Sequence, residues 1–304
     1  MKKVAFIGTK RLGKAVLEEM YNLAPEHLCG IITADDSQDA RSALGSFRRF
    51  SERTNIPMHV LLKGARLEEA VKELSPDLCV VVGWYWIIKP QLLNMVPGGW
   101  LGIHGSLLPK YRGGSPLVWA MVNGETESGL TLFYFDEGMD TGDVVAKKVF
   151  KIAFDETIAD ILKKVEQLSQ QIIRETYPSL LEGTNSRAPQ DHSQATYVVP
   201  RNPADGRIDW NWSNIKIYNF IRAQTHTYPG AFCTMIDNKK LTIWRAKVFP
   251  YPYHGCPGKL VMIKDDYVVV TCGEGTAISL YTVQVENQDE QCAASVLKYG
   301  MRLT

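Results

Sequence analysis

The sequence predicts an α/β protein: a doubly wound sheet in the N-terminal half, then a small β-barrel of OB-like type. Two features predict the sheet. Over the first 150 residues, short segments that are apolar at every position alternate with segments whose apolar residues recur at helical spacing. Strands read as unbroken apolar runs when helices cover both faces of a parallel sheet, and the repeated strand–helix order makes this half Rossmann-like. The third feature lies beyond residue 230, where five short strand-like runs are separated by turn residues, as in small barrels.

Taken in order, residues 4–8 form the first strand and 12–23 a helix; 28–33 form a second strand and 42–54 a helix with a basic outer face. A strand at 58–62, a helix near Arg66 and on to residue 74, and a fully apolar strand at 78–82 follow. The first turn, Gly8-Thr9-Lys10-Arg11-Leu12-Gly13, lacks the middle glycine that lets a pyrophosphate approach the helix. It is read as a plain strand-to-helix turn, not a dinucleotide site. Gly98-Gly99-Trp100-Leu101 is a short apolar strand after a turn, and strands at 130–135 and 144–151 flank the acidic stretch 136–143. A long amphipathic helix spans 158–181. Residues 183–200 are polar and contain Asn, Ser and Pro, which marks a linker and two domains, 1–200 and 201–304. Beyond it come a helix at 214–223 and strands at 232–236, 240–248, 258–263, 267–271 and 277–285.

Composition narrows the class. The chain of 304 residues is 45% hydrophobic and 22% charged, ordinary for a folded enzyme. With 34 basic and 33 acidic residues it lacks the basic excess of a protein that grips a polyanion, so nucleic acid is disfavoured as a partner. The start, MKKVAFIGTKRLGKAV, reads as a strand and turn, not a signal peptide. No stretch approaches about 18 consecutive apolar residues, so no membrane insertion is expected. The six cysteines are scattered without a CxxC pair; neither zinc nor a disulfide framework is expected, and a cytoplasmic location fits.

Two clusters carry chemistry. The first is Gly102-Ile103-His104-Gly105-Ser106-Leu107-Leu108-Pro109, continuing through Lys110 to Gly114. It places His104 at the carboxyl end of a strand, among glycines that allow close backbone approach. The second is Asp136-Glu137-Gly138-Met139-Asp140-Thr141-Gly142-Asp143, with more carboxylates than a hairpin needs. A lone loop histidine is more often structural, and acidic turn residues more often cap amides. Together they read differently: an aspartate at Asp140 that reaches His104 would orient the ring and favour its protonated form, the acid–base half of an acyl-transfer site.

HGSLLPKYRG followed by GMDTGD resembles the folate-dependent formyltransferase family, and the likeness extends through IDWNWSNIKIYNFIRA and YPGAF to the second domain. The family includes methionyl-tRNA formyltransferase, glycinamide ribonucleotide formyltransferase, amino-sugar formyltransferases and the hydrolase domain of formyltetrahydrofolate dehydrogenase. The resemblance implies N10-formyltetrahydrofolate as co-substrate and no metal. It implies catalytic roles for His104 and Asp140, and a pteridine seat along Trp84, Tyr85, Trp86, Ile87 and Ile88 with Asp136, Gly138 and Asp140. The WYW run reads equally well as core packing. The family's third residue, an Asn two positions before the histidine, is Gly102 here. Losing such an oxyanion donor can cost on the order of 100- to 1000-fold in rate. A backbone N–H, Ser106 or a water could replace it, or the enzyme is altered or inactive.

The acceptor is the finer expectation. The transfer-RNA enzyme of the family carries a basic insertion after the second strand; here residues 34–41 start acidic, and Arg48, Arg49 and Arg53 sit at the spacing of a solvated helix face. LLPKYRG, the stretch 116–132 and the length are closest in look to the UDP-4-amino-4-deoxy-L-arabinose formyltransferase domain. The expected partner is therefore a small amine acceptor, a nucleotide-linked 4-amino sugar. The alternatives are a carrier-bound amino acid, methionyl-tRNA, water in a 10-formyltetrahydrofolate hydrolase, and a weakened binding homologue. The sequence does not fix the oligomeric state; a dimer is one option.

Overall fold

The computed structural model describes residues 1–62 and 67–304. They form two compact units, between which the chain passes more than once. The first comprises Met1–Pro116, Ser128–Phe150 and Leu162–Val198; the second comprises Leu117–Glu127, Lys151–Ile161 and Val199–Thr304.

In the first unit β1 (Val4–Gly8), α1 (Lys10–Leu23), β2 (Leu28–Ala34), α2 (Leu44–Thr54), β3 (Met58–Leu61), α3 (Leu67–Leu74) and β4 (Leu78–Val82) alternate as the apolar pattern predicts. Arg66, the expected start of α3, lies outside the described residues. The short α4 (Pro90–Leu93) leads to β5 (Trp100–His104). Next come β6 (Arg112–Gly113), α5 (Pro116–Val122), which belongs to the second unit from Leu117 on, β7 (Glu127–Tyr134), β8 (Val144–Lys151), α6 (Ile158–Glu182), whose first turn also belongs to the second unit, and β9 (Tyr197–Val198). The seven-stranded sheet has the order β3-β2-β1-β4-β5-β7-β8. Its first five strands are parallel, and β7 runs antiparallel to β5.

Each face of the sheet has its own core, which is why its strands carry no polar alternation. One face packs Phe6, Val80 and Leu101 under Leu17 of α1, Phe47 of α2 and Ile173 of α6. The other packs Ile7, Val81 and Trp100 under Val71 of α3 and Leu92 of α4. Each such fully buried side chain contributes about 1.5–3 kcal/mol by transfer from water. The strand order reverses between β1 and β4, and the two strand ends meet there: Thr9 N–H donates to Val82 O at 3.2 Å.

The second unit holds α7 (Asn214–Arg222), whose N-cap Ser213 accepts from Lys216 N–H. An antiparallel sheet follows: β10 (Ala231–Thr234), β11 (Lys240–Val248), β12 (Leu260–Ile263), β13 (Val268–Thr271), β14 (Ala277–Val285) and β15 (Glu290–Cys292), then the short α8 (Ala293–Val296). The order is β10-β11-β14-β13-β12, with β15 also on β14. β15 was not expected, because Glu-Gln-Cys has no apolar alternation to reveal it. β10 ends at Thr234, two residues before the expected end, and Ile236 is exposed. The last residues join the two edges of this sheet. Thr304 exchanges two backbone hydrogen bonds with Thr234, at 2.7 and 3.0 Å, while Leu303 N–H donates to Gly258 O at 2.8 Å.

Among the described residues no helix is long and apolar enough to cross a membrane, and no cluster of His, Cys, Asp or Glu could hold a metal ion. All six thiols are unbridged.

Candidate active site

β5 delivers His104 to the carboxyl edge of the sheet, where open α/β sheets bind ligands. Gly102 pairs with Val81 of β4 and Phe133 of β7, and His104 pairs with Thr131. Strand alternation puts Gly102 and His104 on the same face.

The loop after β5 is pinned by buried hydroxyls. Thr131 Oγ1 donates to Ser106 O at 2.7 Å and accepts from Leu108 N–H at 3.1 Å. Ser106 is buried and gives its own hydroxyl hydrogen to Lys110 O at 2.6 Å, so it works on the loop backbone. So held, the loop brings Tyr111 O to 2.7 Å from His104 Nε2. Gly113, at φ +105°, then turns its N–H onto Asp140 Oδ2 at 2.7 Å. A side chain at this left-handed position would meet the backbone of Val198, so glycine is required twice over.

Asp140 Oδ2 lies 3.6 Å from His104 Nδ1, the distance of an ion pair without a direct hydrogen bond. Asp140 itself sits at φ +53°, inside a turn organised by Asp136. The Asp136 carboxylate accepts from Gly138 N–H at 3.0 Å and from Thr141 Oγ1 at 2.5 Å. Asp136 and Gly138 thus shape the turn that presents Asp140.

Sequence reasoning missed the clamp behind this turn. Gln190, in the stretch read as a linker, donates from Nε2 to Asp140 O at 2.9 Å and to Gly142 O at 2.7 Å. Its Oε1 accepts from Arg112 Nη2 at 2.7 Å, and that guanidinium is only 1% exposed. Arg112 also reaches His192 Nδ1 at 3.0 Å and Tyr197 OH at 3.2 Å, and β6 pairs in parallel with β9. A polar, proline-containing stretch offers no local signal that one glutamine in it is buried.

The aromatic run after β4 divides. Ile88 is buried in the core, and Trp84 and Trp86 pack edge-to-face at 4.8 Å against that same core. Phe135 joins them at its edge. Tyr85 turns away and donates to Asp36 at 2.9 Å, while Ile87 is 90% exposed. A cleft of about 320 Å³ opens beside the acidic turn, lined by Phe135, Asp136, Thr141, Arg187, Gln190 and His192. A second groove of about 720 Å³, with Phe154, Lys216 and Arg222 on its walls, lies in the second unit and contains none of the expected site residues.

At Gly102 the structure explains the missing side chain. A Cβ there would overlap Cε1 of Phe135, with Phe135 Cζ at 2.6 Å and Phe133 Cε1 at 3.3 Å. An aromatic ring fills the space a side chain at 102 would use.

The formyl transferase family model matches residues 3–177, and the model of the family's C-terminal domain matches residues 201–299. The methionyl-tRNA formyltransferase of Geobacter sulfurreducens is 33% identical over 307 residues, covering 99% of this chain and 94% of that protein. That of Acetivibrio thermocellus is 32% identical over 282 residues, 91% of this chain and 90% of that protein. Among solved structures, the N-formyltransferase of Helicobacter canadensis in complex with folinic acid and dTDP-3-aminofucose superposes with a TM-score of 0.69 at 19% identity. The match covers 92% of this chain and 99% of that one. Both domains are matched and the full-length relatives exceed 30% identity: the chain belongs to the formyl transferase family.

Proposed function

We propose that this chain moves the formyl group of N10-formyltetrahydrofolate to the amine of a small acceptor, a nucleotide-linked 4-amino sugar, with His104 and Asp140 as the catalytic pair. The observation that carries the reading is the wiring of His104. A carbonyl only accepts, so the 2.7 Å contact with Tyr111 O assigns the hydrogen to Nε2 and leaves the lone pair on Nδ1. Nδ1 is then the nitrogen that takes a proton, and the imidazolium so formed faces the Asp140 carboxylate at 3.6 Å.

Formyl transfer needs such a group. The acceptor nitrogen bonds to the formyl carbon and becomes positively charged; His104 Nδ1 takes the surplus proton. The tetrahedral carbon then collapses, the bond to N10 breaks with its electron pair going to N10, and His104 returns the proton there. A positioned acid–base group of this kind contributes about 10²- to 10⁴-fold in rate. Asp140, held in place by Gly113 and Gln190, faces the charged ring and stabilises it. Trp84 and Trp86 supply an apolar seat for the pteridine, and the turn shaped by Asp136 and Gly138 supplies its polar border.

The small acceptor is supported by the near-neutral charge and by the turn after β2, where Lys10 and Arg41 are paired to Asp36 and Asp39 instead of forming a basic arm. A second reading, transfer to methionyl-tRNA, is favoured by the names of the full-length relatives. Tetrahydrofolate release from N10-formyltetrahydrofolate, measured with a panel of nucleotide-linked amino sugars, with initiator methionyl-tRNA and with buffer alone, separates them. Release that depends on one amino sugar supports the first reading, and dependence on the tRNA replaces it with the second. Release in buffer alone makes the protein a hydrolase.

A further inference from the structure

Gly102 and His104 point to the same side of β5, so whatever fills the space above Gly102 borders the reacting histidine. That space belongs to Phe135. Its ring overlaps the position of a Cβ on Gly102 and contacts Phe133 at 5.2 Å, and Phe133 in turn stands edge-on to His104 at 6.4 Å. Phe135 and Phe133 form a continuous apolar wall beside His104. These two rings offer no hydrogen-bonding group, and the gap between Gly102 and the Phe135 ring is too small for a water, which needs both room and two or more polar partners.

This bears on the competition between two nucleophiles. In transfer, the amine nitrogen bonds to the formyl carbon, the bond to N10 breaks, and the acceptor's proton ends on N10. In hydrolysis, a water oxygen forms that bond instead, one water proton ends on N10, and formic acid leaves and releases the other as it ionises to formate. His104 would serve either reaction, so the choice depends on whether water can be held beside it.

We propose that Phe135 is a specificity-determining residue: seated on Gly102, it bars water from the space beside His104 and so directs the formyl group to the amine. The proposal rests on the formyl-transfer reading above.

The test measures acceptor-free release of tetrahydrofolate and formate from N10-formyltetrahydrofolate. Tryptophan fluorescence quenching by tetrahydrofolate monitors folate binding alongside. The unaltered protein should bind folate yet release no faster than the compound decays in buffer. Phe135→Asn supplies a polar anchor for water and should raise acceptor-free release about tenfold, the kind of side reaction that water exclusion suppresses. Phe135→Leu, which keeps apolar bulk, should give a smaller rise. Adding His104→Ala to Phe135→Asn should abolish the gain. Rapid acceptor-free hydrolysis by the unaltered protein overturns the proposal without any variant. So does a folded, folate-binding Phe135→Asn with no gain. Absence of folate binding by the unaltered protein overturns the functional reading itself, and this inference with it.

Discussion

Asp140 is gripped at both ends, its carboxylate by Gly113 N–H at 2.7 Å and its carbonyl by the Gln190 amide at 2.9 Å. Gln190→Ala strips partners from Asp140 O, Gly142 O and Arg112 Nη2 together. Leaving buried polar groups unpaired costs about 1–3 kcal/mol, so urea denaturation should show a lower midpoint, and formyl transfer should slow as Asp140 loses its position. Gly102→Ala should also destabilise, by about 1–3 kcal/mol, because the new methyl overpacks against Phe135. In Gly102→Ala/Phe135→Leu the loss should be smaller than the sum of the single losses, since the two side chains compete for one space; additive losses in thermal melts would refute that coupling. At this scale the approach of Asp140 to His104 was legible because glycines, a proline and a dense acidic turn are local signals. Gln190 was not, since it reaches the Asp140 carbonyl from 50 residues away and nothing beside it in sequence reports the contact. The cause of glycine at 102 was equally hidden, because Phe135 arrives from β7's end.

The parallel strands were readable because burial on both faces demands apolar residues at every position, as in Leu-Cys-Val-Val-Val of β4. β15 escaped because pairing to β14 is made by backbone groups alone, which any residue possesses. The same reason hides the tail that joins Thr234 to Thr304. The turn between β2 and α2 carries an electrostatic prediction. The Arg41 guanidinium, with help from Lys10, holds the Asp39 carboxyl well below the usual carboxylate range. A carboxyl whose folded-state pKa is depressed adds stability that is complete above its unfolded value near 3.8 and drains away as pH falls below it. Asp39→Asn should therefore cost about 0.5–1 kcal/mol in urea unfolding at pH 7, a range suited to a partly exposed pair. The deficit should shrink steadily as pH falls below 3.8. A deficit unchanged by acid would assign the loss to packing instead.

For the whole molecule, a formal charge of +1 says more about the acceptor than about the fold. A small nucleotide-linked sugar should show a KM that changes by less than about threefold between 50 and 200 mM salt. A transfer RNA gripped through several phosphates would lose roughly 10³-fold or more in affinity over that range. The family and its chemistry were legible in two short motifs, whereas the acceptor was not: the full-length relatives and the superposed sugar enzyme bear different substrate names. In the proposed reaction the His104–Asp140 pair manages the proton of formyl transfer. Its most direct test is single-turnover transfer from N10-formyltetrahydrofolate to the acceptor identified by the panel, comparing the unaltered protein with Asp140→Asn. The substitution keeps the side chain's shape and removes its charge. The expected result is a fall of about 10²- to 10⁴-fold with folate still bound. A rate within about threefold of the unaltered protein, too small a change for an acid–base pair to have been lost, would contradict it.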